Sequence, residues 1–86
     1  MTLDMIKQNA QSMIELVNNK ELVIKEKNFV LNDIEKYKKI NDKVNIDSSI
    51  KKLEAINLEL DKIRTYMIKI IVNNQKIIEE EKNNLK

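Results

Sequence analysis

From residue 46 onward, apolar side chains recur at steps of three or four: Ile46, Ile50, Leu53, Ile56, Leu60, Ile63, Met67, Ile70 and Ile77. A heptad frame places Leu53, Leu60 and Met67 at a and Ile56, Ile63, Ile70 and Ile77 at d. That spacing predicts a long amphipathic helix over about 48–84 with a coiled-coil seam. Between Tyr66 and Ile78 the seam widens, because Ile68, Ile71, Val72 and Ile78 add apolar surface on other faces. A helix apolar on more than one stripe needs more than one neighbour.

The first half carries a less regular pattern. Leu3, Ile6, Ala10, Met13 and Val17 form one stripe, and then Leu16, Val23, Val30, Tyr37 and Val44 recur every seven beside Ile24, Leu31 and Ile34. Lys20 and Lys27 fall where the early register calls for apolar residues. Either the helix supercoils strongly or it is interrupted near Asn18-Asn19, which would make three helices. A continuous helix over about 3–43 is the expectation, since Asn only mildly disfavours helix and neither Gly nor Pro occurs anywhere in the chain.

The best turn lies at about 41–49, Asn-Asp-Lys-Val-Asn-Ile-Asp-Ser-Ser, whose short polar side chains bond the local backbone. Asp47 is the expected N-cap of the second helix, with Ser48 and Asn45 as rivals. The turn divides the chain into nearly equal arms, each roughly 60 Å long at 1.5 Å per residue. The fold class expected is therefore all-α: one domain over 1–86, an antiparallel helical hairpin.

A two-helix hairpin leaves much of each apolar face wet, and a chain of 86 residues closes only a marginal core alone. Dimerisation into a four-helix bundle is the expected solution, through Leu53, Ile56, Leu60, Ile63, Met67 and Ile70 and the facing residues Leu16, Val23, Ile24, Val30, Leu31 and Ile34. Asn74 at an a position and Asn57 beside the seam would act as polar register markers or stand as plain surface residues.

Composition narrows the chemistry. The chain has no His and no Cys, which removes the commonest metal ligand, the neutral-pH acid/base, thiolate chemistry and disulfides. No metal or cofactor is implied. Consecutive Glu79-Glu80-Glu81 point about 100° apart on a helix and do not converge on an ion. The longest apolar stretch, Tyr66 to Val72, falls far short of the ~20 residues that span a bilayer. The first residues do not read as a signal peptide, so a cytoplasmic setting is expected. The bias to Lys, Asn and Ile is that of an AT-rich genome, such as a low-GC bacterium or its phage.

Sixteen basic and 14 acidic residues leave a net charge of +2, a balance that does not favour nucleic acid. Lys36, Lys38, Lys39, Lys43, Lys51 and Lys52 nevertheless gather about the turn. They suit an acidic partner, or more simply the macrodipole of the first helix.

Asn57, Asp61 and Arg64 share one strip beside the seam. An amide and a carboxylate side by side can position water for attack on a phosphoryl group; as an exposed Asp61–Arg64 pair they would add only a few tenths of a kcal/mol. The run Ile34-Glu35-Lys36-Tyr37-Lys38-Lys39-Ile40, the turn with Asp47-Ser48-Ser49, and Asn57-Leu58-Glu59-Leu60-Asp61-Lys62 together resemble the sporulation-type aspartyl-phosphate phosphatases of low-GC bacteria. Those helical hairpins act on phosphorylated response regulators and carry a Ser-Gln-Glu-Leu-Asp signature. Glu59, Leu60 and Asp61 match it, while Asn57 and Leu58 stand where Ser and Gln are expected. The resemblance implies a catalytic role for Asp61, with Asn57 assisting. The Leu-Val-Asn-Asn-Lys-Glu run at 16–21 is similar, more loosely, to the small helical export chaperones of flagellar secretion.

The function expected is that of a non-catalytic interaction module: an adaptor, chaperone or inhibitor that binds a protein partner, with the phosphatase as the alternative. Leu22, Phe29, Tyr66, Ile68 and Val72, which the seam does not consume, are the expected partner-binding residues.

Overall fold

The structure, a computed structural model, describes residues 2–85. Two helices, α1 over Thr2–Lys39 and α2 over Lys43–Asn84, form an extended antiparallel hairpin of 68 × 15 × 13 Å, with no strand among the described residues. α1 runs unbroken through Asn18-Asn19, so the three-helix alternative does not apply.

The inward face of α1 consists of Ile6, Asn9, Met13, Leu16, Val23, Lys27, Val30, Ile34 and Tyr37. This is a single alternation of a and d positions, with Ile6, Met13, Lys27 and Ile34 at a, Asn9, Leu16, Val23, Val30 and Tyr37 at d, and Lys20 filling the remaining step. The register is kept, not lost, at the two lysines. Lys20 is exposed and Lys27 half-buried, as suits a long aliphatic stem with its ammonium in water. In α2 the inward positions are Ile46, Ser49, Leu53, Ile56, Leu60, Ile63, Met67, Ile70, Asn74 and Ile77, the frame read from the pattern.

Val23, Val30, Ile34, Ile56 and Ile63 make the central core, with Leu16, Leu53, Leu60 and Met67 packed against it. Of the seam residues expected at a dimer contact, Val23, Val30, Ile34, Ile56 and Ile63 are buried between the two helices of one chain, and Leu16, Leu53, Leu60, Met67 and Ile70 are half-buried there. Ile24 and Leu31 are the exceptions; they sit at e, beside the seam, and remain exposed.

The turn is shorter than expected, and its chemistry is carried by two residues. Asn41 adopts a left-handed backbone at φ 55, its N–H donates to the Lys38 carbonyl at 3.3 Å, and the Asp42 N–H donates to the Tyr37 carbonyl at 3.0 Å. That pair of bonds is a Schellman ending, and Asn is the side chain after Gly that best tolerates its left-handed position. Asp42 then caps α2: its Oδ1 accepts from the Asn45 N–H at 3.2 Å and its Oδ2 from the Asn45 side-chain amide at 2.6 Å. Asp47 is thus not the N-cap. Helix begins at Lys43, and Asn45, Asp47, Ser48 and Ser49 lie in its first two turns. Val44, which continued the seven-residue recurrence of the first half, belongs to α2 and faces solvent. Replacing Asp42 by Ala should lower stability by about 1 kcal/mol, read as a lower urea midpoint at unchanged slope. An unchanged midpoint would remove the cap from the account.

Register is also marked at the far end. The Asn9 side-chain amide donates to Asn74 Oδ1 at 2.7 Å and to Asn73 Oδ1 at 2.9 Å. Asn9 and Asn74 stand at equal distances along the chain from the turn. By that register Leu16 is level with Met67, Val23 with Leu60 and Val30 with Leu53. Among the described residues no buried side-chain polar atom lacks a partner.

A single seam makes a thin body. The radius of gyration is 19.6 Å, against about 12 Å for a compact domain of this length. The accessible surface is 7143 Å², about a third above the ~5,300 Å² of a compact monomer of this mass. Among the described residues no helix is long and apolar enough to cross a membrane.

Candidate functional site

With a and d consumed, the surface divides into two flanks and two outer backs. On one flank the g positions of both helices meet. They are Met5, Ser12, Asn19, Glu26 and Asp33 from α1, with Lys52, Glu59, Tyr66, Asn73 and Glu80 from α2. This flank is polar. It holds an open groove of about 680 Å³ whose lining mixes Met5, Leu16 and Ile70 with polar residues, among them Ser12, Glu15, Asn19, Tyr66, Lys69 and Asn73. Lys69 Nζ lies 5.6 Å from the centre of the Tyr66 ring, a cation–π contact worth about 0.5–1 kcal/mol at an exposed site.

The opposite flank is apolar. Leu3, Ala10, Val17, Ile24 and Leu31 occupy successive e positions of α1, and Ile50, Ile71 and Ile78 occupy e positions of α2, with Asn57 and Arg64 between them. Exposure runs from 38% at Val17 and Ile24 to 49% at Ile71, rising to 63% only at Leu3 near the chain end. Ile14 and Ile68, at b, widen the strip towards the open end of the hairpin. The sequence reading found these residues but missed the strip. It requires the phase of α1, which Lys20 and Lys27 obscured.

The expected partner-binding residues are all exposed, yet they do not form one patch. Leu22 and Phe29 share the c row on the outer side of α1, and Phe29, at 72%, is among the most exposed large apolar residues. Tyr66 belongs to the groove between the g rows, Val72 to the back of α2, and Ile68 to the edge of the apolar strip. The helical phase therefore assigns these five residues to different surfaces.

Asn57, Asp61 and Arg64 are exposed on α2, Asn57 and Arg64 at e and Asp61 at b. Asp61 borders a shallow depression with Leu58, Lys62, Thr65, Tyr66 and Lys69, and its backbone carbonyl accepts from the Thr65 hydroxyl at 2.9 Å. This carboxylate is open to solvent, with no neighbouring element to enclose it. No group of three acidic side chains among the described residues is placed to hold a metal ion. The lysines about the turn are exposed; Lys36, Lys38 and Lys39 occupy the last turn of α1, where they complement its macrodipole.

No protein-family model, curated protein or solved structure matches the chain.

Proposed function

We propose that this chain is a non-catalytic interaction module, a helical hairpin that acts as an adaptor, chaperone or inhibitor by presenting preformed helix faces to a protein partner and that works as a homodimer. One observation carries the reading: the two helices use a single seam on each other, and large apolar side chains stay in water along most of the hairpin. Isolated exposed apolar residues are ordinary, but rows of them at helical spacing on a rigid rod suit helix-to-helix docking.

Leu22 and Phe29 are the natural anchors for the partner. They share one row of α1, lie outside both flanks, and include the most exposed aromatic side chain. Aromatic anchors of this kind contribute disproportionately to binding.

The test compares the wild-type chain with the double substitution Leu22→Glu and Phe29→Glu, both tagged, as baits in lysate of the native host. One protein retained in stoichiometric amount by the wild type and lost with the variant, at unchanged helicity and mass, is the expected result. Equal retention by both baits, or retention by neither, would overturn the assignment. A response regulator retained equally by both would favour the phosphatase, with Asp61 as the residue to substitute next.

A further inference from the structure

The apolar flank carries an occupant of its own. We propose that a second copy of this chain covers it, laid head to tail across the strip from Leu3 and Ile78 to Leu31 and Ile50, so that two hairpins close an antiparallel four-helix bundle. The inference rests on the interaction-module reading and deepens it by naming how its homodimer is built; a monomer would remove the homodimer from that reading, while partner retention, read on other residues, stands or falls separately.

Dimensions come first. The strip extends about 42 Å along the helices at 1.5 Å per residue, on a body 15 Å wide. The footprint is about 600 Å², and the accessible area above a ridged surface is larger. A standard stable interface takes about 800 Å² per partner. A single helix is about 10 Å across and leaves one of the two e rows wet, whereas a second two-helix layer matches the full width. The accessible surface of 7143 Å² exceeds that of a compact monomer by about 1,800 Å², more than such a contact removes from each chain.

Repeat and shape point the same way. The e rows repeat every seven residues, in phase with the a and d seam. A matching surface has to be straight, helical and of the same repeat. A second copy meets all three conditions, and a surface that meets itself about a two-fold axis is the commonest way for a small chain to oligomerise.

Charge then sets the direction. Along the outer edges of this flank, the half nearer the turn carries Glu21, Glu35, Asp47, Glu54 and Asp61, while the half nearer the open end carries Lys7 and Lys82 with the two isoleucines Ile14 and Ile68. The turn half stays acidic on balance even with Lys38 and Lys43 at its end. A parallel copy would stack acid on acid. A head-to-tail copy brings Asp47 beside Lys82, puts Glu35 past the open end of its mate rather than over acid, and sets Arg64, near the midpoint, close to Asp61 of its mate.

Four measurements on the full chain test the proposal. Sedimentation equilibrium should give twice the 10.2 kDa chain mass. The double substitution Ile24→Glu and Ile71→Glu should raise the dissociation constant at least about 100-fold with helicity retained. Because both residues border the seam, a second variant alters only an exposed edge: Asp47→Lys, which reverses the charge beside Lys82 of the mate at both ends, should weaken the dimer about 10-fold at low salt, and high salt should restore it. Spin labels at Lys39→Cys, in a chain otherwise free of Cys, should lie about 60 Å apart across the dimer. A monomeric wild type at high concentration, a dimer indifferent to Ile24→Glu and Ile71→Glu, or a dimer whose charge reversal has no salt-dependent effect overturns the proposal. A label separation of ~20–30 Å overturns the head-to-tail arrangement.

Discussion

Replacing Ile63 by Ala should destabilise the hairpin by about 3 kcal/mol, the largest loss from any single truncation in this chain. Ile63 is 2% exposed, the most buried side chain in the structure, and it lies at d in the central core beside Ile56 and Val23. A thin two-helix body cannot collapse around the missing atoms without bending both helices, so the full cavity cost applies. A domain of this size holds only a few kcal/mol in reserve. The variant should therefore be largely unfolded at 25 °C, as read by far-ultraviolet circular dichroism in a urea titration. Leu58→Ala is the control: a large aliphatic residue on the same helix, exposed at f, whose truncation should cost less than about 0.5 kcal/mol. Similar losses at both positions would mean that the seam is not where the stability resides.

The contrast between Ile63 and Leu58 is legible in the sequence alone. In α2, apolar residues occupy nearly every a and d position from Ile46 to Ile77, so the period alone identifies the inward face. In α1 the same frame exists, but Lys20 fills one a position, Lys27 another and Asn9 a d position. With three polar residues in the seam, and Leu3, Ala10, Val17, Ile24 and Leu31 lined up at e, a sequence reading finds two competing stripes. Packing against a partner decides between them, because Asn9 finds Asn74 across the seam while the e row stays exposed beside it.

The turn was placed too late for a related reason. Asn41, Asp42, Asn45, Asp47, Ser48 and Ser49 all have cap or turn chemistry, and composition does not rank them. What ranks them is backbone geometry. One residue must go left-handed to close α1 and the next must cap α2, and Asn41-Asp42 is the pair for which the seams on either side stay in phase. Ser49 then falls at d in the seam, where its small side chain is buried level with Ile34. The expected partner-binding residues Leu22, Phe29, Tyr66, Ile68 and Val72 share exposed hydrophobicity but not one helical phase.

Phase also yields the second large effect. One Ala inserted between Asn57 and Leu58 turns the rest of α2 by 100°. The inward positions now held by Leu60, Ile63, Met67, Ile70, Asn74 and Ile77 would pass to Glu59, Lys62, Tyr66, Lys69, Asn73 and Lys76. Burying several charges against α1 is far costlier than leaving the arm undocked. The loss, at least about 4 kcal/mol from the two or more apolar layers forfeited, exceeds what a chain this small holds in reserve, and the insertion should abolish cooperative unfolding. A whole heptad behaves oppositely. Duplicating Ile56–Lys62 in α2 together with Glu21–Lys27, which is level with it in α1, adds a layer to both arms and keeps the a, d and e rows aligned. That variant should retain a cooperative transition at an equal or higher urea midpoint. Because Ile24 is copied with it, the apolar flank stays continuous, and the longer hairpin should still sediment at twice its chain mass. If the single insertion were tolerated as well as the heptad, the helices would be held by something other than the phase of this seam.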